Sequence, residues 1–132
     1  MVSELRKVVS GRADPNVAAW ARATPPGQLF ISVVTLHELE DGVLLAERSD
    51  PRTGVILRRW LDDSVAHAFD GRVLPVDESV ARLAASFHVP DPAPFRDALI
   101  GATAIVHGLV MVTRNEQDFV RFPGLRLLDP WR

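Results

Sequence analysis

The sequence of 132 residues has no cysteine, which excludes disulfide bonds, zinc–thiolate sites and thiol catalysis. It also has no long hydrophobic run. The longest nearly apolar stretch, residues 98–112, is too short to span a bilayer and contains His107. No secretory hydrophobic region follows the N-terminal residues. A soluble, cytoplasmic protein without a membrane partner is therefore expected.

An excess of charge of one sign is also absent. The formal net charge of −2 gives no general attraction to nucleic acid or to anionic membranes, so any phosphate binding must come from a local patch. Lys7 is the only lysine among 15 basic residues, and arginine suits bidentate phosphate contacts.

The sequence lacks the signatures of two folds that bind nucleotides or accept a phosphoryl group. No G-x-G-x-x-G occurs, which disfavours a dinucleotide-binding domain. A receiver-type phospho-acceptor domain would need a lysine after a late strand and an acidic pair after the first strand, and neither is present.

Short apolar runs alternate with helical patterns along the chain. This alternation predicts a parallel sheet covered by helices on both faces, a three-layer α/β/α sandwich, and the length suits one domain over residues 1–132. The predicted strands are 29–34, 73–76, 109–112 and 125–128. The predicted helices are 1–9, 15–21, 35–47, 50–69, 78–87 and 94–107.

The stretch 94–119 is the centre of this arrangement. Pro94 suits the first position of a helix, Asp97 falls in the first turn, and Gly108 can end the helix. An unbroken apolar run at 109–112 predicts a buried strand. Ligands of open α/β sheets bind beyond the carboxyl ends of strands, where the polar residues Thr113, Arg114, Asn115 and Asp118 follow.

Each acidic candidate also has a purely structural interpretation. Thr35 and Glu38 match a capping box, in which threonine is the N-cap and glutamate the third helical residue. Asp97 suits a helix first turn because of the helix dipole. Asn115 and Asp118 could cap the turn at 116–119. Taken alone, each of these acids indicates a helix start rather than a catalytic site.

Together the acids indicate a metal site. Glu38, Asp97 and Asp118 each lie where a strand or linker leads into a helix, and such junctions gather at one edge of a parallel sheet. Their mutual repulsion would raise their pKa values, and a divalent cation would relieve it. Mg²⁺ and Mn²⁺ favour carboxylate ligands, and such an ion can activate water against a phosphoryl group. The pattern therefore favours metal-assisted phosphodiester hydrolysis.

At these residues the chain resembles the PIN-domain ribonucleases of the VapC toxin type. The motifs that carry the resemblance are VSELRK, ISVVTLHELEDGV, LPVDESVA, PFRDALIGATAIVHGL, VTRNEQDF and LLDPW, in family order. The resemblance implies RNA cleavage dependent on Mg²⁺ or Mn²⁺, a homodimer, and a cognate VapB-type antitoxin whose C-terminal arm blocks the active site. It places Glu38, Asp97 and Asp118 at metal positions and Thr113 and Asn115 at supporting polar positions. Arg114 could bind RNA phosphate or form a structural ion pair.

One family feature is missing. The family opens with a central strand that ends in Asp-Thr-Asn, and this chain begins just beyond it, at Met1. The strands at 29–34 and 109–112 would flank that missing strand, so they must pair directly, leave a gap or borrow a strand. An in-frame upstream segment of about ten residues, long enough for one strand, is expected.

The missing acid leaves a second function open. A PIN-like protein without a complete metal site could still bind an antitoxin or RNA without cleaving it. The remaining polar and aromatic residues do not favour either function. The four histidines show no metal-ligand spacing. The tryptophans are interpreted as core or dimer anchors: Trp20, Trp60 and Trp131.

Overall fold

A computed structural model describes Met1 and residues 15–130 of the chain. The predicted helix at 1–9 and Trp131 lie outside these residues. Helices and strands alternate as the sequence predicts. Their order is α1 (Pro15–Ala23), β1 (Ile31–Ser32), α2 (Val33–Ser49), α3 (Pro51–Arg59), β2 (Val73–Leu74), α4 (Glu78–Ser86), α5 (Phe95–Val106), β3 (Met111–Val112), α6 (Glu116–Phe119) and β4 (Leu127–Leu128).

The predicted helix at 50–69 is present as one continuous helix, whose middle part is π-helical and therefore wider. Helix α3 passes into a π-helical stretch, Trp60–Val65, and ends with a short α-helical turn, Ala66–Ala68. Two of the predicted helix stops are confirmed, because Gly71 and Gly108 have φ values of 73° and 66°, a conformation that glycine adopts without strain. Asp77 caps α4 as predicted, since its Oδ1 accepts a hydrogen bond from the Val80 N–H at 2.9 Å.

The described strands form two parallel pairs, which no further strand joins within residues 15–130. Ile31 pairs with Val73 in β1–β2, and Met111 pairs with Leu127 in β3–β4. Each strand has only two residues in the ladder, shorter than predicted. Strands β1 and β3 are buried, whereas β2 and β4 are partly exposed, so β1 and β3 are the inner strands.

Two hydrophobic cores cover the opposite faces of the strand layer. The α4–α5 core lies on one face and includes Met1, Leu74, Val80, Ala84, Ile100, Met111 and Leu127. The α2–α3 core lies on the other and includes Ile31, Val43, Leu61, Val65, Phe69, Val73 and Val112. Neighbouring residues of β2 and of β3 therefore enter different cores, which confirms the predicted three-layer sandwich. Trp20 and Trp60 pack on the α2–α3 core, as core anchors.

Met1 occupies one position beside the inner strand β3. The Met1 amine donates to the carbonyl of Val110, and the Val112 N–H donates to the carbonyl of Met1 at 2.7 Å. A residue opposite Met111 in a parallel pair of strands would make these same two hydrogen bonds. Among the described residues β1 and β3 do not pair with each other. Of the three predicted outcomes, direct pairing of β1 with β3 is not found among Met1 and residues 15–130.

None of the described helices is long and apolar enough to cross a membrane.

Candidate active site

Glu38 has no capping role, so the predicted capping box is wrong. Helix α2 begins at Val33 rather than Thr35, because the Ser32 hydroxyl accepts a hydrogen bond from the Val34 N–H at 3.0 Å and acts as the N-cap. Glu38 is then six residues beyond the cap, out of reach of the helix's free N–H groups. Its side chain, 35% exposed, is available for other contacts.

Asp97 is a candidate metal ligand whose surroundings alter its ionisation. It lies in the first turn of α5, where the helix dipole alone would favour its charged form. Instead its pKa is raised, first by partial burial and then by the negative charges of Asp118 and Glu38. Acids from α2 and α6 therefore lie within electrostatic reach of Asp97 in α5.

The turn after β3 holds the remaining predicted residues. Thr113 is buried, and its hydroxyl accepts a hydrogen bond from the Asn115 N–H at 3.0 Å. Thr113 thus shapes this turn from inside. Asn115 precedes α6 but its side chain makes no capping hydrogen bond, so the capping interpretation of this residue is not supported. Asp118 is exposed on α6.

Two arginines border the acids. Arg96, next to Asp97 in α5, places its Nη1 3.9 Å from the Glu38 Oε1. Sequence reasoning missed Arg96, because nothing local to α5 indicates a partner on α2. Arg114 is exposed and forms no ion pair within residues 15–130, so the structural ion pair considered for it is not found there. A guanidinium group suits an anionic ligand, and Arg96 presents one beside the acids Glu38 and Asp97.

The acid set fits a hard divalent cation held partly by water. Carboxylate oxygens are ligands that Mg²⁺ and Mn²⁺ prefer. Within the described part of the chain, no three acidic or histidine side chains are close enough to hold one ion together. Mg²⁺ commonly uses only one or two carboxylates and keeps several waters. Asp97 with one of its two acidic neighbours supplies that number of carboxylates, and the pKa of Asp97 is raised by burial first and then by a repulsion that a cation would relieve.

A separate cavity lies on the α2–α3 side of the strand layer. It encloses about 700 Å³, and none of the three candidate metal acids lines it. Its walls are apolar, with Leu61, Val65 and Phe69 among them, and its rim carries Glu40 and Asp41.

Comparison with known proteins identifies the family. The sequence matches the PIN domain over residues 6–125. The chain therefore belongs to the PIN domain family, and the predicted resemblance is confirmed.

Two relatives match nearly the whole chain. The VapC ribonuclease Y4jK of Sinorhizobium fredii is 32% identical over 136 residues, covering 99% of this chain and 93% of that protein. Toxin FitB of Neisseria gonorrhoeae is 31% identical over 128 residues, covering 91% of this chain and 89% of that protein. The crystal structure of FitAcB from Neisseria gonorrhoeae superposes with a TM-score of 0.88 at 26% identity, covering 100% of this chain and 99% of the other.

Proposed function

We propose that this chain is the toxin component of a type II toxin–antitoxin system and cleaves RNA as a divalent-metal-dependent endoribonuclease. The observation that carries the proposal is the acid group at one edge of a PIN fold, in which Asp97 responds to the charges of Asp118 and Glu38. Relatives that match nearly the full length are named as a VapC ribonuclease and as a toxin, which supports the same activity.

In this proposal Asp97, together with Glu38 or Asp118, would hold Mg²⁺ or Mn²⁺, and the remaining acid would act through water bound to the ion. The bound ion supplies an activated water and stabilises the negative charge that develops on the phosphoryl group. Thr113 and Asn115 support the site by fixing the turn between β3 and α6. Arg114, and with it Arg96, would bind the RNA phosphates, so that the scissile phosphate lies against the acid group.

The proposed partners are an RNA substrate, a VapB-type antitoxin and a second copy of the chain. Solved structures of related complexes include VapBC from Salmonella typhimurium bound to DNA. An antitoxin would block the site by placing a basic side chain against the acids in place of the metal. An exposed apolar patch on α2 and α3 supports a homodimer, and its residues are Leu44, Leu45, Val55 and Ile56. We place the protein in the cytoplasm.

One observation favours a second candidate, a PIN-like protein that binds antitoxin or RNA without cleavage. No three of the described acids and histidines lie within reach of a single ion, so metal affinity could be too low for catalysis. A metal-dependent cleavage assay separates the two functions, because the binding protein would retain RNA or antitoxin affinity without cutting.

The test is cleavage of a mixed RNA substrate with Mg²⁺ or Mn²⁺, against an EDTA control. The proposal predicts cleavage that EDTA abolishes and that Asp97→Asn reduces by at least about 100-fold, as expected when a group acting directly on the reaction is lost. Glu78→Gln is the matched control, because it makes the same change of charge on an exposed acid of α4 whose only described ion pair is with Arg82. Absence of metal-dependent cleavage, or equal activity of Asp97→Asn and Glu78→Gln, would contradict the proposal.

A further inference from the structure

Arg121 joins two segments that each carry a candidate metal ligand. It lies three residues beyond Asp118, just after α6. Its guanidinium donates hydrogen bonds to three backbone carbonyls of the linker between α4 and α5: to Phe87 at 3.2 Å, to Asp91 at 2.6 Å and to Pro92 at 3.0 Å. This linker leads directly into α5 and Asp97.

The neighbouring residue reinforces the same junction. Phe122 is buried and stacks on Phe87 with ring centroids 4.5 Å apart. It also packs on α5 at Gly101, where an added Cβ would lie 2.8 Å from the ring carbon Cδ2. The segment after α6 is therefore fixed from two sides: Phe122 packs on α5 itself, and Arg121 holds the linker from which α5 starts.

We infer that Arg121 is a positioning residue that sets the separation of Asp118 and Asp97 and thereby the affinity of the site for a divalent cation. The inference rests on the proposed function. Asp118 is exposed on a helix of four residues, which has too few internal hydrogen bonds to hold its place unaided. Phe122 fixes the position of the segment, but a stacked ring does not prevent rotation about the contact. The three carbonyl contacts of Arg121 prevent it.

Only arginine has the geometry for this role. A guanidinium presents several N–H donors in a fixed planar fork, so one side chain can bind carbonyls of residues 87, 91 and 92 at once. A lysine in the same place would keep the charge but act as a single flexible donor group. The effect of Arg121→Lys on the site should therefore approach that of Arg121→Ala, although the charge is conserved.

The test measures Mn²⁺ affinity by electron paramagnetic resonance of the free ion, together with the melting temperature of each metal-free variant. Arg121→Ala and Arg121→Lys should bind Mn²⁺ about 10- to 100-fold more weakly, the range found when groups that orient metal ligands are removed. Arg126→Ala is the matched control. Arg126 lies on the same C-terminal segment and also donates to a backbone carbonyl, that of Gly108 at 2.9 Å, but it does not touch the linker.

A double-mutant cycle with Asp118→Asn separates positioning from general stability. If Arg121 acts through Asp118, Arg121→Ala should weaken Mn²⁺ binding in the parent but cause no further loss in Asp118→Asn. An equal further loss, or parent-like affinity of Arg121→Ala, would overturn the inference. If Asp118→Asn abolishes measurable Mn²⁺ binding, the inference is tested by comparing Arg121→Ala with Arg126→Ala. Equal Mn²⁺ affinities of these two variants would refute the positioning role of Arg121. Should Arg121→Ala fail to fold, Arg121→Lys takes its place. A parent chain that binds no Mn²⁺ would instead refute the proposed metal site.

Discussion

Two helical glycines should respond in opposite ways to substitution by alanine. Gly54 in α3 lies against α2: a Cβ added there would be 2.5 Å from the Glu47 Cα and 2.8 Å from the Glu47 backbone N. Gly42 in α2 has no atom within 4 Å of the same position. Both residues are inside helices, so the gain in helix propensity is the same and the difference in stability reports the contact between α2 and α3.

The expected magnitudes follow from that contact. Alanine in place of glycine within a helix stabilises by about 1 kcal/mol. At Gly42 nothing opposes this gain. At Gly54 the added carbon overlaps backbone, since unbonded carbons prefer a separation of about 3.5–4.0 Å. Overpacking costs about 1–3 kcal/mol, and here the neighbour is main chain that cannot rotate away, so the upper part of the range applies.

Separating α2 from α3 would also disturb Arg58. This α3 side chain contacts two acids of α2, with its Nη1 2.7 Å from the Glu40 Oε2 and its Nη2 3.0 Å from the Glu47 Oε1. We expect Gly54→Ala to be destabilised by about 1–2 kcal/mol after the propensity gain is subtracted.

Urea unfolding followed by circular dichroism measures both variants. Gly54→Ala should unfold at lower urea than the parent and Gly42→Ala at higher urea, and their free energies of unfolding should differ by about 2–3 kcal/mol. Equal stabilities, or a more stable Gly54→Ala, would refute the close backbone contact between α2 and α3.

Three further predictions concern charge, the strand layer and association. Asp97→Asn should raise the melting temperature of the metal-free protein at neutral pH, because the raised pKa of Asp97 means that its ionisation opposes folding. This gain should vanish below about pH 4, where the carboxyl group is protonated in the unfolded chain as well. A gain that persists below about pH 4 would contradict the argument. Burial lowers the pKa of the Met1 amine from 8.0 to about 6. Between pH 6 and pH 8 the unfolded chain therefore binds a proton that the folded chain has released. The free energy of unfolding, measured with urea, should increase by about 2 kcal/mol from pH 6 to pH 8. An added apolar strand of about ten residues ahead of Met1 should pair with β3, remove that pH dependence and raise the melting temperature, whereas a Gly/Ser extension of equal length should only remove the pH dependence. The chain should sediment as a dimer at tens of micromolar, and Ile56→Glu, at a side chain 69% exposed, should yield a monomer with the parent's circular dichroism spectrum and a lower melting temperature; a monomeric parent would count against the dimer.

The sequence determined the features that depend on a few neighbouring residues. The apolar run before Thr113 gave a buried strand, and Asp77, Gly71 and Gly108 ended or began helices where predicted. These features follow from the sequence because a cap, a positive φ or a continuous apolar run stabilises a structure through local contacts alone.

Only the tertiary structure decided which of several local solutions is used and which distant residues meet. Ser32 and Thr35 can both cap a helix, and the chain uses Ser32, which frees Glu38 for the acid group. The contacts of Arg96 with Glu38, and of Arg121 with the linker at 87–92, join residues that are far apart in sequence. These contacts arise because the helices pack on the strand layer, and the local sequence around each residue does not indicate which distant residue it will meet. Strand pairing has the same origin: among the described residues β1 pairs with β2 and β3 pairs with β4, partners that lie far apart in sequence.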